Sequence, residues 1–130
     1  MRDFKTLIMA GLIVAACGVQ AAPAGAQASG GAAGQQGFDQ TCAACHQPDG
    51  KGIPDAFPAL AGSAVAQGDP DAVLATVLDG RNAMPSFRAD LNDEQLAAIL
   101  TYVRSAWGNS ASAVTPAQAA AARAKGAPAP

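Results

Sequence analysis

Between Gln47 and Gly68 a proline or glycine recurs at positions 48, 50, 52, 54, 58, 62 and 68, too densely for a helix or strand to pass through. A loop of 22 residues inside a small domain needs something to hold it. The segments around it carry helical signals. Phe38 to Cys45 reads as the end of a first helix, limited on its C-terminal side by Pro48. Asp69-Pro70 reads as N-cap and first residue of a short helix, with Val73, Leu74, Val77 and Leu78 on one face and Gly80 as its stop. Asn92 caps a longer helix whose positive end suits Asp93 and Glu94; Leu96, Ile99, Leu100, Val103 and Trp107 form its apolar stripe up to Gly108. Thr115-Pro116 opens an alanine-rich segment that closes at Gly126, a helix that is marginal in water by itself. With no strand pattern and no internal repeat, the expected class is all-α, about three to four helices joined by long loops.

Of the 130 residues 50% are hydrophobic, but only 5% are aromatic and alanine supplies most of the apolar share. A single domain of about 75 ordered residues built this way has a thin core, so a staple or cofactor is expected. The net charge is -2 with no basic cluster, which excludes nucleic acid as a partner.

Arg2 and Lys5 followed by the apolar run Leu7 to Ala16 have the form of an export signal, too short to span a bilayer. Two processing routes stand open. Signal peptidase would cut after Val19-Gln20-Ala21 or Ala24-Gly25-Ala26, whereas Val14-Ala15-Ala16-Cys17 resembles a lipobox that would make Cys17 a lipidated N-terminus and the one membrane anchor. Either route places the mature chain in the periplasm. Residues 1–26 are therefore read as export signal and start of a linker, 27–33 as flexible linker, 34–109 as the folded domain and 110–130 as an Ala/Pro-rich tail. Residues 18–33 and 115–130 are expected to stay mobile. Removing residues 1–26 leaves six basic and nine acidic residues, a net charge of about -3.

The chemistry lies in Cys42-Ala43-Ala44-Cys45-His46, the C-x-x-C-H pattern of covalent c-type haem attachment. Each thiol forms a thioether to one porphyrin vinyl, and the adjacent imidazole is directed at the iron. A redox dithiol would want a βαβ context, and a structural zinc site needs two more ligands. His46 is the only histidine and Cys17 the only other cysteine, so zinc fails by counting. One covalent haem c is expected, and folding is expected to depend on it. The second axial ligand must come from Met, Lys, a terminus or water. Met1 and Met9 leave with the signal, which puts Met84 first and Lys51 next. Met84 stands in Gly80-Arg81-Asn82-Ala83-Met84-Pro85, between two helices, where Pro85 restricts the backbone.

At these residues the chain resembles the small class I bacterial cytochromes c, over residues 34 to 108. Gly34 and Phe38, eight and four residues before Cys42, correspond to the glycine and aromatic that pack on an aromatic of the family's last helix, here Tyr102. Phe57-Pro58-Ala59-Leu60-Ala61-Gly62 is similar to the Pro-x-Leu-x-Gly segment whose proline carbonyl accepts a hydrogen bond from the proximal imidazole, which implies that role for Pro58. Met84-Pro85-Ser86-Phe87 is similar to the distal Met-Pro-x-Phe loop. The Tyr and Trp that hold haem propionates in mitochondrial members have no counterpart in the loop, which leaves Arg81 as the substitute. No ring of lysines surrounds the site, so docking on a strongly acidic partner is not implied.

The resemblance implies a cytochrome c fold and a periplasmic one-electron carrier with His46 and Met84 on the iron. Two filled axial positions suit electron transfer rather than catalysis. Its partners would be redox proteins: a periplasmic dehydrogenase, a bc1-type complex or a terminal oxidase. It would serve as a free shuttle or as a bound subunit; Tyr102-Val103-Arg104, Trp107-Gly108-Asn109 and Val114-Thr115-Pro116 look like segments of dehydrogenase and oxidase cytochrome subunits. The alternative is a haem enzyme or a gas or redox sensor, which requires an open axial site.

Overall fold

A computed structural model describes residues 25–126, with side chains from residue 31 onward. The export signal and the Cys17 lipobox lie outside the described residues. Among the described residues five helices follow one another: α1 (Gly25–Thr41), α2 (Ala43–His46), α3 (Pro70–Asp79), α4 (Asp93–Ser105) and α5 (Pro116–Lys125). Among the described residues the only β pairings are the isolated bridges Ile53–Phe57 and Arg81–Met84, so the chain is all-α as expected.

The local signals work as the chemistry of helix ends requires. Asp69 accepts from the Asp71 amide ahead of Pro70, and the Gly80 amide returns to the Thr76 carbonyl at the other end of α3. Asn92 and Gln95 form a reciprocal capping box on α4.

The main helix crossing is α1 on α4. It is close because Gly34 lies on the α4 backbone, where a Cβ would overlap the Ala98 carbonyl and come within 2.8 Å of Tyr102 Cβ. Phe38, fully buried, meets Tyr102 with ring centroids 5.7 Å apart. Trp107 joins them at 5.0 Å from Phe38 and 5.4 Å from Tyr102. This triad, in which Trp107 meets both other rings edge-on, supplies aromatic packing that the sparse composition had made scarce.

Three expectations need correction. Trp107 is not on the helical stripe: α4 ends at Ser105, and Trp107 takes a φ of 53° that turns its ring back under the helix. Residues 27–33 do not form a loose linker but the continuation of α1, since extending a helix already held on α4 costs far less than starting one. The C-terminal segment is docked rather than loose. Thr115 and Gln118 make a capping box, Ala119 and Ala122 are buried, and α5 packs on α3 and α4. Tertiary contact offsets the marginal stability of an isolated ten-residue helix.

The loop from Gln47 to Gly68 is pinned largely by polar groups just past and within the end of α4. Asn109 Nδ2 donates to the Leu60 carbonyl at 3.0 Å and the Val103 carbonyl at 2.8 Å, while its Oδ1 accepts from the Gly62 amide at 2.8 Å. Arg104, 2% exposed, has no carboxylate partner among the described residues and spends its donors largely on backbone instead. They reach the Ala66 and Gly68 carbonyls at 2.9 Å each and the Ser112 carbonyl at 2.7 Å. Paired this way, its buried charge is tolerated.

Candidate haem-binding site

Cys42, Cys45 and His46 occupy positions i, i+3 and i+4 of one helical turn and so share a face. The turn is closed by the Cys45 and His46 amides, which both donate to the Cys42 carbonyl, at 3.2 and 3.0 Å. Both thiols are free and half-buried. Burial, and then the neighbouring Cys45, push the Cys42 thiol up to about 11, so it is protonated at neutral pH.

His46 Nδ1 lies 2.9 Å from the Pro58 carbonyl oxygen. A carbonyl only accepts, so Nδ1 carries the proton and Nε2 keeps its lone pair for a metal. The carbonyl is delivered by a tight turn in which the Ile53 amide donates to the Phe57 carbonyl at 2.9 Å and the Phe57 amide returns to Ile53 at 2.8 Å. Gly52, at a φ of 66°, admits the chain here, since a Cβ would stand 2.7 Å from the carbonyl carbon and oxygen of Pro58. The Leu60 and Ala61 amides donate to Gly50, and Gly50 itself lies against the Trp107 ring, whose Nε1 donates to Pro48 at 3.2 Å.

Met84 stands on a separate loop, half-buried. The Arg81 amide donates to the Met84 carbonyl at 3.1 Å and the Met84 amide to the Arg81 carbonyl at 2.9 Å, with Gly80 and Asn82 at φ of 77° and 53°. The loop then anchors to α3 through Ser86 Oγ to the Leu78 carbonyl and the Phe87 amide to the Val77 carbonyl. The Arg81 side chain is exposed and makes no hydrogen bond or ion pair among the described residues; its backbone, not its guanidinium, shapes the loop. Thus the fold ties Cys42, Cys45, His46 and Pro58 into one hydrogen-bonded unit, with Met84 and Arg81 on a second.

Two free thiols, an imidazole with one open nitrogen and a loop-borne thioether are the kinds of side chain that a c-type haem takes. No group of three or more His, Cys, Asp and Glu side chains able to hold a metal occurs among the described residues. Leu60, Val77 and Phe87 stay partly uncovered at the margin of the core and Ile53 is 40% exposed, apolar surface that suits a porphyrin. An open groove of about 400 Å³ between α1 and α4 contains none of these residues. Asn109 and Arg104 hold the loop carrying Pro58, and nothing local in the sequence marks their distant partners.

Residues 29–103 match the family described as cytochrome c oxidase, cbb3-type, subunit III. The chain is similar to the cytochrome c subunit of alcohol dehydrogenase (quinone) from Gluconobacter oxydans, 34% identical over 62% of this chain and 20% of that subunit. It is also similar to cytochrome c-552 from Thermus thermophilus, 36% identical over 52% of this chain and 63% of that protein. The chain therefore spans less than two thirds of either relative's length. Among solved structures, cytochrome CL from Methylophaga aminisulfidivorans shares the fold, with a TM-score of 0.53 at 22% identity over 81% of this chain and 73% of that one. The family match and the fold agree: this chain belongs to the cytochrome c family and binds covalent haem c.

Proposed function

We propose that this protein carries single electrons in the periplasm, through one haem bonded to Cys42 and Cys45 with His46 and Met84 as axial ligands. The observation that carries the reading is the 2.9 Å contact between His46 Nδ1 and the Pro58 carbonyl, which sets the tautomer, leaves Nε2 for iron and orients the ring. Bound haem supplies a one-electron Fe(III)/Fe(II) couple. The chain's part is to hold two ligands rigidly, so that little reorganises on electron exchange, and to surround the couple with apolar side chains. Arg81, exposed beside the Met84 turn, is assigned to a propionate. Export rests on residues 1–26, by either processing route.

Redox proteins of the periplasm are the assigned partners. A dehydrogenase is favoured by the similarity to a cytochrome subunit of alcohol dehydrogenase (quinone). No helix among the described residues is long and apolar enough to cross a membrane. On the lipobox route, a lipid on Cys17 would anchor the chain.

The test is Met84→Ala in a host that matures c-type cytochromes. The expected product retains covalent haem, loses the methionine–iron charge-transfer absorption and binds carbon monoxide. An unchanged spectrum would reject Met84, and carbon monoxide binding by the unaltered protein as tight as that of Met84→Ala would favour a sensor or enzyme with an open site.

A further inference from the structure

The loop that carries Met84 is tied to the last helix by hydrogen bonds exchanged between two arginines. Arg88, four residues after Met84, donates through Nη1 to the Arg123 carbonyl at 2.8 Å. Arg123, near the end of α5, donates back through Nη1 to the Arg88 carbonyl and through Nη2 to the Leu91 carbonyl at 2.7 Å. Its Nε pairs with Asp93, in the first turn of α4, at 2.8 Å. Arg88 also reaches Asp79 at the end of α3. Gly126 closes over this pair, since a Cβ there would overlap the Arg88 guanidinium. The backbone just after Met84 is thus held on one side by α3, through Ser86 and Phe87, and on the other by α5, through Arg123.

One planar guanidinium serves two carbonyls and a carboxylate at once, a task that the point charge of lysine cannot perform. The Arg123 and Asp93 side chains are only 27% and 28% exposed, so the pair is screened less than the neighbouring surface pair of Lys125 with Asp71.

We propose that Arg123 is a positioning residue for the sixth iron ligand: by gripping the backbone at Arg88 and Leu91 from α5, it holds the Met84 loop in its ligand-presenting form. The inference rests on the assignment of Met84 as that ligand. An added ligand binds in proportion to the fraction of molecules with the site open. Removing a charged donor shared by two carbonyls raises that fraction about tenfold.

The experiment uses the full-length holoprotein and reads two quantities, the carbon monoxide affinity of the ferrous form and the methionine–iron absorption of the ferric form. Arg123→Ala is expected to bind carbon monoxide about tenfold more tightly and to weaken the absorption. Arg123→Lys, which keeps charge and stem and folds more readily, should move both in the same direction by less. Lys125→Ala, which frees the same helix end from Asp71 without touching the loop, should behave like the unaltered protein. That pattern supports the inference. Carbon monoxide affinities of both Arg123 variants equal to the unaltered protein, beside a strongly binding Met84→Ala, would overturn it. So would an equal rise in Lys125→Ala, which would mean general loosening of α5. A Met84→Ala protein that binds no carbon monoxide would remove the ligand assignment and the inference with it.

Discussion

Gly34 of α1 rests directly on the carbonyl of Ala98 in α4, with no room for a side chain between the two backbones. That contact sets the depth of the helix crossing and brings Phe38, one turn on, into the aromatic cluster with Tyr102 and Trp107. Gly34→Leu must drive the helices apart. A loss of about 3 kcal/mol is expected, since overpacking at a close contact costs about 1–3 kcal/mol and here the obstacle is backbone. Denaturant unfolding of the holoprotein measures it; an unchanged midpoint would mean that the crossing adapts freely.

The two thiols on one helical face should each be indispensable to full attachment. Cys42→Ser is expected to lower or abolish maturation, and the Cys42→Ser/Cys45→Ser chain to lack a cooperative transition, because the margin formed by Leu60, Val77, Phe87 and Ile53 then faces water. Haem that acidified ketone extracts from the purified unaltered protein would contradict covalent attachment.

Gly52 is where the Pro58 carbonyl is aimed. In Gly52→Ala the new methyl collides with that carbonyl at a backbone conformation alanine resists, so the His46 hydrogen bond lengthens. A weaker bond makes the imidazole a poorer donor and favours Fe(II), so the reduction potential should rise by about 30 mV, roughly a threefold shift in the redox equilibrium. Voltammetry settles the sign; a fall would show that the bond does not strengthen the ligand.

Tyr102 is the only tyrosine, so alkaline titration of its ultraviolet absorbance reports one group. Burial first, then the charge of Asp39, hold its ionisation above the ordinary value of 10.0. The folded state therefore keeps a proton that the unfolded chain gives up. Stability attributed to this group is complete below pH about 10 and is lost as pH rises through the folded value. Tyr102→Phe should remove that part of the alkaline decline in thermal midpoint, and an identical decline in the variant would assign it elsewhere.

Much of the fold was legible because helix ends are written locally. Asp69-Pro70, Asn92 with Gln95 and Thr115 with Gln118 each pair with amides two or three residues away, so sequence neighbours suffice to find them. The shared face of Cys42, Cys45 and His46 was legible for the same reason, since side chains at i, i+3 and i+4 lie together in any helical turn.

What the sequence by itself determined is therefore the set of local pieces: the caps, the stops, the Cys42–His46 turn and the Met84 loop between two helices. The tertiary structure alone decided how the pieces are held. Asn109 meets residues 47 and 49 positions away, Arg123 answers Arg88 from 35, and Trp107 turns under α4 to join Phe38. A 3.6-residue period could not announce any of these, because it tells which face is apolar but not which backbone that face will meet. Docking of α5 was hidden for the same reason: an alanine helix that is marginal alone becomes ordered once Ala119, Ala122 and Arg123 find partners that exist only in the folded chain.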